Sequence, residues 1–135
     1  MLPLALRGVK GDLSVALLHH WMQFFRGGEA VLSEIATLFP KASISMLYAN
    51  RMHLDSVLGR RDVRTSSFAA FPGFCEHFRK LLPLFPFLMR SVPVPIGAGL
   101  VLSSDASMIK GVNIPKSAVH VCYCHSPPRY LWGLE

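Results

Sequence analysis

A chain of 135 residues is about one domain's worth of protein and can bury a sizeable core. Hydrophobic residues make up 51% and charged ones 16%, which excludes a disordered chain and fits a globular domain rich in interfaces or sited beside a membrane. The net charge of +6 favours an anionic partner (a phosphate-bearing ligand, nucleic acid or an acidic bilayer) against the plain alternative of a soluble basic domain.

Residues 1–12 (MLPLALRGVKGD) have a short apolar run with no basic stretch before it and no small-residue cleavage pattern. They read as an N-terminal extension and not as a signal peptide, with the domain spanning 13–135. Residues 13–18 (LSVALL) form the apolar run of a buried parallel strand, and His19, His20 and Trp21 are expected where that strand ends. A loop then reaches Gly27 and Gly28. In residues 29–39 (EAVLSEIATLF), Val31, Ile35 and Leu38, with Leu32 and Phe39, recur at helical spacing, and Pro40 stops the helix. Residues 43–49 (SISMLYA) predict a second strand, 50–61 a turn of helix ending at Gly59, and 63–68 a short third strand. Residues 74–82 predict a helix with Phe74, Phe78, Leu81 and Leu82 on one side.

Residues 81–102 are apolar and long enough to be taken for a membrane span. Arg90 lies inside the run, and Pro83, Pro86, Pro93 and Pro95 would break its backbone ladder where lipid offers no replacement partner. The segment is expected to be short buried helical pieces, a Pro-rich loop and then a strand. Arg79 and Lys80 beside Leu81, Leu82, Phe85 and Phe87 leave peripheral contact with an anionic membrane open. Strands are predicted at 99–103 (GLVLS) and 118–123 (AVHVCY), joined by a partly helical linker. Strands alternating with helices imply an α/β fold, a Rossmann-like, mainly parallel sheet with flanking helices. In such sheets ligands bind beyond the carboxyl ends of strands, and His19, the Gly27–Gly28 turn, Ser103, Ser104 and His125 are all expected just there.

Each candidate has a plainer reading. Gly27 and Gly28 open a helix where an anion would meet free N–H groups, yet a simple turn explains them as well; no dinucleotide fingerprint or P-loop is present. Three cysteines, Cys75, Cys122 and Cys124, make no disulfide framework and suit a reducing cytosol. His120, Cys122 and Cys124 would share a strand face that does not fold around a tetrahedral ion, so no metal is expected. Cys122 and Cys124 are expected to be small core residues of a central strand. His125, at the strand's end, is either a cleft residue or an ordinary histidine, and Arg129 offers a fork for phosphate or carboxylate. Lys110 is a further cleft candidate or a solvated lysine. Arg60, Arg61 and Arg64 form only a small cluster, and no nucleic-acid-binding motif accompanies them.

Four blocks in order, VALLHHWMQFFRGGEAVL (15–32), FRKLLPLFPF (78–87), LSSDASMIKGV (102–112) and VHVCYCHSPPRYLW (119–132), resemble the N-terminal domain of family 4 glycosyltransferases. These are retaining enzymes of the two-Rossmann GT-B architecture. The last block is close to the family's Tyr-Cys-His-Thr-Pro-x-Arg-Tyr-x-Trp. The resemblance implies transfer of a sugar from a nucleotide-sugar donor to a saccharide or lipid-linked acceptor, with no further cofactor. It implies that Gly27 and Gly28 face the donor phosphates and that His125 is the catalytic histidine near the transferred sugar. Lys110 and Arg129 would be further cleft contacts, and His19, Trp21 and Ser104 would line the acceptor side. It also implies a cytoplasmic protein, peripheral on the inner face of the membrane. The family's His-Asp-Trp reads His19-His20-Trp21 here, and Ser126 replaces its Thr. The donor-binding half is not expected within the 135 residues, so this chain is expected not to transfer sugar by itself. A stand-alone module binding anions or saccharides is the alternative.

Overall fold

In a computed structural model, which describes residues 13–105 and 108–126, five strands make one parallel sheet. They are β1 (Val15–Met22), β2 (Ser43–Ala49), β3 (Val63–Thr65), β4 (Leu100–Asp105) and β5 (Val119–Cys124). The spatial order is β3-β2-β1-β4-β5, so the chain builds outward from β1 on one side and then on the other. The direction of winding reverses between β1 and β4, and that reversal opens a crevice at the strands' carboxyl ends. Central β1 pairs with both neighbours, Leu17 facing Ile44 on one side and Leu102 on the other.

Both faces of the sheet are covered, as a parallel sheet requires. On one face α1 (Gly27–Leu38) and α2 (Arg51–Leu58) pack Leu32, Ala36 and Leu58 over Leu17, Ile44 and Met46. On the other, Phe85, Leu88, Met89 and Ile109 cover Ala16, Leu18, Leu47 and Val101. The helical pieces of this second layer are α3 (Phe74–His77), a 3-10 run (Phe78–Leu84), α4 (Phe85–Leu88), and 3-10 turns at Met89–Ser91 and Met108–Gly111.

The sheet and its flanking helices are those the sequence predicts, and β2 has the expected bounds. Several boundaries differ for physical reasons. β1 and β4 each run past their apolar stretches, because the neighbouring strands continue to supply hydrogen-bond partners, so His19 and Ser104 lie inside strands and not beyond them. The helix expected over 74–82 is a single α-turn, α3, followed by a 3-10 run, and the short helical pieces expected beyond Leu81 are there, with Pro83 and Pro86 inside them. β3 ends at Thr65 because the Ser66 hydroxyl accepts the Phe68 N–H (3.2 Å) and caps a 3-10 turn instead. Among the described strands β5 is outermost, not central: Cys122 is half-buried against the core and Cys124 is exposed. Among the described residues no helix is long and apolar enough to cross a membrane.

Candidate functional site

The crevice between β1 and β4 gathers His19, Gly28, Glu29, Ser104 and His125. Alternation along the strands aims His19 and the Ser104 side chain to the face that carries α1. His19 is fully buried, and its Nδ1–H donates to the Ser104 carbonyl at 2.6 Å. Its Nε2 has no hydrogen-bond partner and faces Glu29 Oε1 at 3.6 Å. The Ser104 hydroxyl lies 2.8 Å from His125 Nε2, so one serine bridges both imidazoles, by its carbonyl and by its hydroxyl. His125 follows β5 directly; its N–H reaches the Asp105 carbonyl at 3.3 Å, which extends the ladder by one bond and sets the ring at the crevice. Tyr123 meets that ring edge-on at 5.0 Å.

Gly28 lies between the two imidazoles. A Cβ built on it would meet His19 Cε1 at 3.5 Å and His125 Nε2 at 3.7 Å, whereas one on exposed Gly27 would meet nothing within 4 Å. Both glycines belong to α1, in its first turn, where N–H groups have no acceptor within the helix. Glu29 closes the inner side of this turn by accepting the Arg26 N–H at 2.9 Å. Burial opposes the charge on Glu29, but the His19 imidazole and the backbone N–H groups of Glu29 and Arg26 outweigh it, so its carboxyl sits below the usual range. The cluster therefore offers a helix N-terminus, two imidazoles and a buried carboxylate around a gap that only a side-chain-free residue leaves open.

No family model, curated protein or solved structure matches this chain.

Of the residues singled out in the sequence, His19, Gly28, Ser104 and His125 come together, with Gly27 at the rim. Trp21 and Lys110 do not join them. Trp21 packs edge-on against Phe85 at 5.3 Å in the layer on the other face. Lys110 is exposed on the turn beside buried Ile109, also in that layer. Arg129 and the end of the last sequence block, with the 1–12 extension, lie outside the described residues.

Two acidic partners were not singled out from the sequence. The signal for Glu29 was its place three residues after the helix cap, the spacing of a capping carboxylate. Asp105 had no local signal. It accepts the Ile109 N–H at 2.7 Å and lies 3.0 Å from His20 Nδ1 on the far face of the sheet. Burial holds His20 below its ordinary pKa despite the pull of Asp105. On β5, His120 Nε2 bonds the Ser103 hydroxyl at 2.8 Å, and burial lowers its pKa as well. Among the described residues no three His, Cys, Asp or Glu side chains are grouped to hold a metal ion.

Proposed function

We propose that this crevice is the acceptor-side wall of a retaining glycosyltransferase of the GT-B type, which moves a sugar from a nucleotide-sugar to a saccharide or lipid-linked acceptor. The observation that carries the reading is Gly28 held between His19 and His125 at the switch point of a Rossmann-like sheet. The helix N-terminus at Gly27 and Gly28 suits a diphosphate, because first-turn N–H groups and the helix dipole favour negative charge. His125, fixed by Ser104 and half-buried, is the group that meets the sugar being transferred. His19 and Glu29 back the turn from within, and their role is to position it. In this reading the enzyme works at the cytosolic face of a membrane.

The test is a titration of isotope-labelled protein with uridine- and guanosine-diphosphate sugars and with neutral oligosaccharides, followed by amide shifts. The expected result is a saturable response at Gly27, Gly28 and Glu29, lost in His125→Ala without a change in melting temperature. If neither class of sugar perturbs these amides, the reading falls. Binding of saccharide with no response to any nucleotide-sugar would favour a stand-alone binding module.

A further inference from the structure

Two cross-strand pairs bridge β1 and β4 where the winding reverses. His19 and Ser104 serve the face that carries α1; His20 and Asp105, the next residue on each strand, serve the face covered by Phe85 and Ile109. The second pair takes no part in the cluster at Gly28, and its chemistry differs. Asp105 is 4% exposed, and its Oδ2 is held by the Ile109 N–H. Its Oδ1 stands 3.0 Å from His20 Nδ1, off the line of a well-aligned hydrogen bond. At that distance a bare Nδ1 would turn its lone pair on a carboxylate, so a neutral His20 carries its proton on Nδ1 and its lone pair on Nε2. Burial holds the ring below its ordinary pKa and keeps it neutral at pH 7. The Trp21 indole meets the ring edge-on at 4.1 Å, and Phe85 backs the indole at 5.3 Å, which limits the ring's freedom to turn.

Nδ1 is buried, yet the His20 side chain is 18% exposed, so the opening falls on the rest of the ring. Among the described residues Nε2 has no hydrogen-bond partner. The pair therefore presents an oriented acceptor at the carboxyl end of β1, beside the switch point. Charge selects what meets it. A phosphate or carboxylate would bring an acceptor to an acceptor, with the Asp105 carboxylate across the same ring. A hydroxyl brings a proton and no charge. The first turn of α1, on the other face, has the opposite preference, since its N–H groups suit an anion. We propose that His20 and Asp105 form a specificity site on the far side of the β1–β4 crevice, where His20 Nε2 accepts a hydrogen bond from a hydroxyl of an uncharged saccharide and Asp105 turns away phosphorylated or carboxylated ones. His20 is the binding group, and Asp105 positions it. The two faces of one crevice then sort ligands by charge. Naming this saccharide the acceptor rests on the sugar-transfer reading; the hydroxyl site itself does not.

Nitrogen spectra of the full chain with labelled histidine test the site before any ligand is added. His20 should carry its proton on Nδ1 at pH 7, and the opposite tautomer or a charged ring would overturn the proposal. In Asp105→Asn the side-chain oxygen can keep the Ile109 N–H while the amide donates to Nδ1, so the proton should move to Nε2. A merely structural role for Asp105 would not reverse the tautomer. Maltose or lactose should shift the His20 Nε2 signal saturably, with glucose phosphate and galacturonate at least about tenfold weaker. His20→Phe should weaken the disaccharides about tenfold, and Asp105→Asn, with a donor on Nε2 and no carboxylate, should reverse the preference towards the charged sugars. A His20 signal that neither disaccharide moves, or that the charged sugars move as strongly, overturns the proposal even where nucleotide-sugars perturb Gly28. A disaccharide response at His20 with Gly28 silent to every nucleotide-sugar keeps the site and makes it part of a stand-alone binding module.

Discussion

Replacing Glu29 by alanine should destabilise the fold at neutral pH far more than an exposed helix position would allow. Glu29 is 6% exposed; its carboxylate accepts the Arg26 N–H at 2.9 Å and stands 3.6 Å from His19 Nε2. Glu29→Ala removes a charged acceptor, opens a small void and leaves a buried imidazole without its anion. A hydrogen bond to a charged group contributes roughly 1.5–3 kcal/mol, so we expect a loss of about 2 kcal/mol. For a chain of this size that is roughly 6–10 °C in melting midpoint. The loss should depend on pH with a definite sign. The carboxyl sits below its ordinary 4.5 in the folded protein, so its ionised form contributes stability that is complete above that value and lost as pH falls through the lower folded value. Urea melts of parent and variant should therefore converge in acid, while Glu29→Gln, which keeps an acceptor for Arg26 but no charge, should lie between them at neutral pH. A variant as stable as the parent at pH 7, or a deficit that stays constant into acid, would refute the reasoning.

Gly28→Ala should leave the fold as stable or slightly firmer, since its Cβ makes only ordinary contacts at 3.5 and 3.7 Å and alanine favours helix by up to about 1 kcal/mol. The same methyl fills the gap between His19 and His125, so the titration of nucleotide-sugars and saccharides should show affinity falling about tenfold. Arg61 donates to the Ala36 carbonyl at 2.9 Å and the Phe39 carbonyl at 2.8 Å and so ties down the end of α1; Arg61→Ala should cost about 1–2 kcal/mol in a urea melt. His20 is kept neutral by burial, and the unfolded chain takes up that proton first. Its contribution is therefore complete above pH 6.5 and is lost as pH falls below it, and His20→Gln should flatten the stability curve just below pH 6.5.

Four of the five strands were legible from their apolar residues, and Ser43–Ala49 matches to the residue; β3 (Val63–Thr65) has one apolar residue, and its end was misplaced. The strand ends were not. His19 and Ser104 look like residues beyond a strand, because a buried imidazole or hydroxyl is tolerable only with a partner, and those partners come from elements 85 and 21 residues away. The helix over 74–82 misled in the opposite direction: its apolar spacing was real, but only Phe74–His77 is α-helical, whereas the prolines after Leu81 did announce the short turns that follow. The cysteines were placed in a central strand because nothing in VHVCYC records that β5 has a described neighbour on one side alone.

The sequence by itself determined the layers: apolar runs long enough for parallel strands, helical spacing between them, and a carboxyl-end location for Gly28 and His125. Those are local properties, set by the period of side chains along a strand or helix. Only the tertiary structure decided which face each residue serves. Gly28, His19, Ser104 and His125 meet because β1 and β4 are adjacent at the reversal of the winding, while His20, next to His19 on β1, goes to the other side with Asp105. A strand turns successive side chains to opposite faces, so neighbours in the chain become strangers in space, and strand order, which the local pattern does not encode, chooses their company.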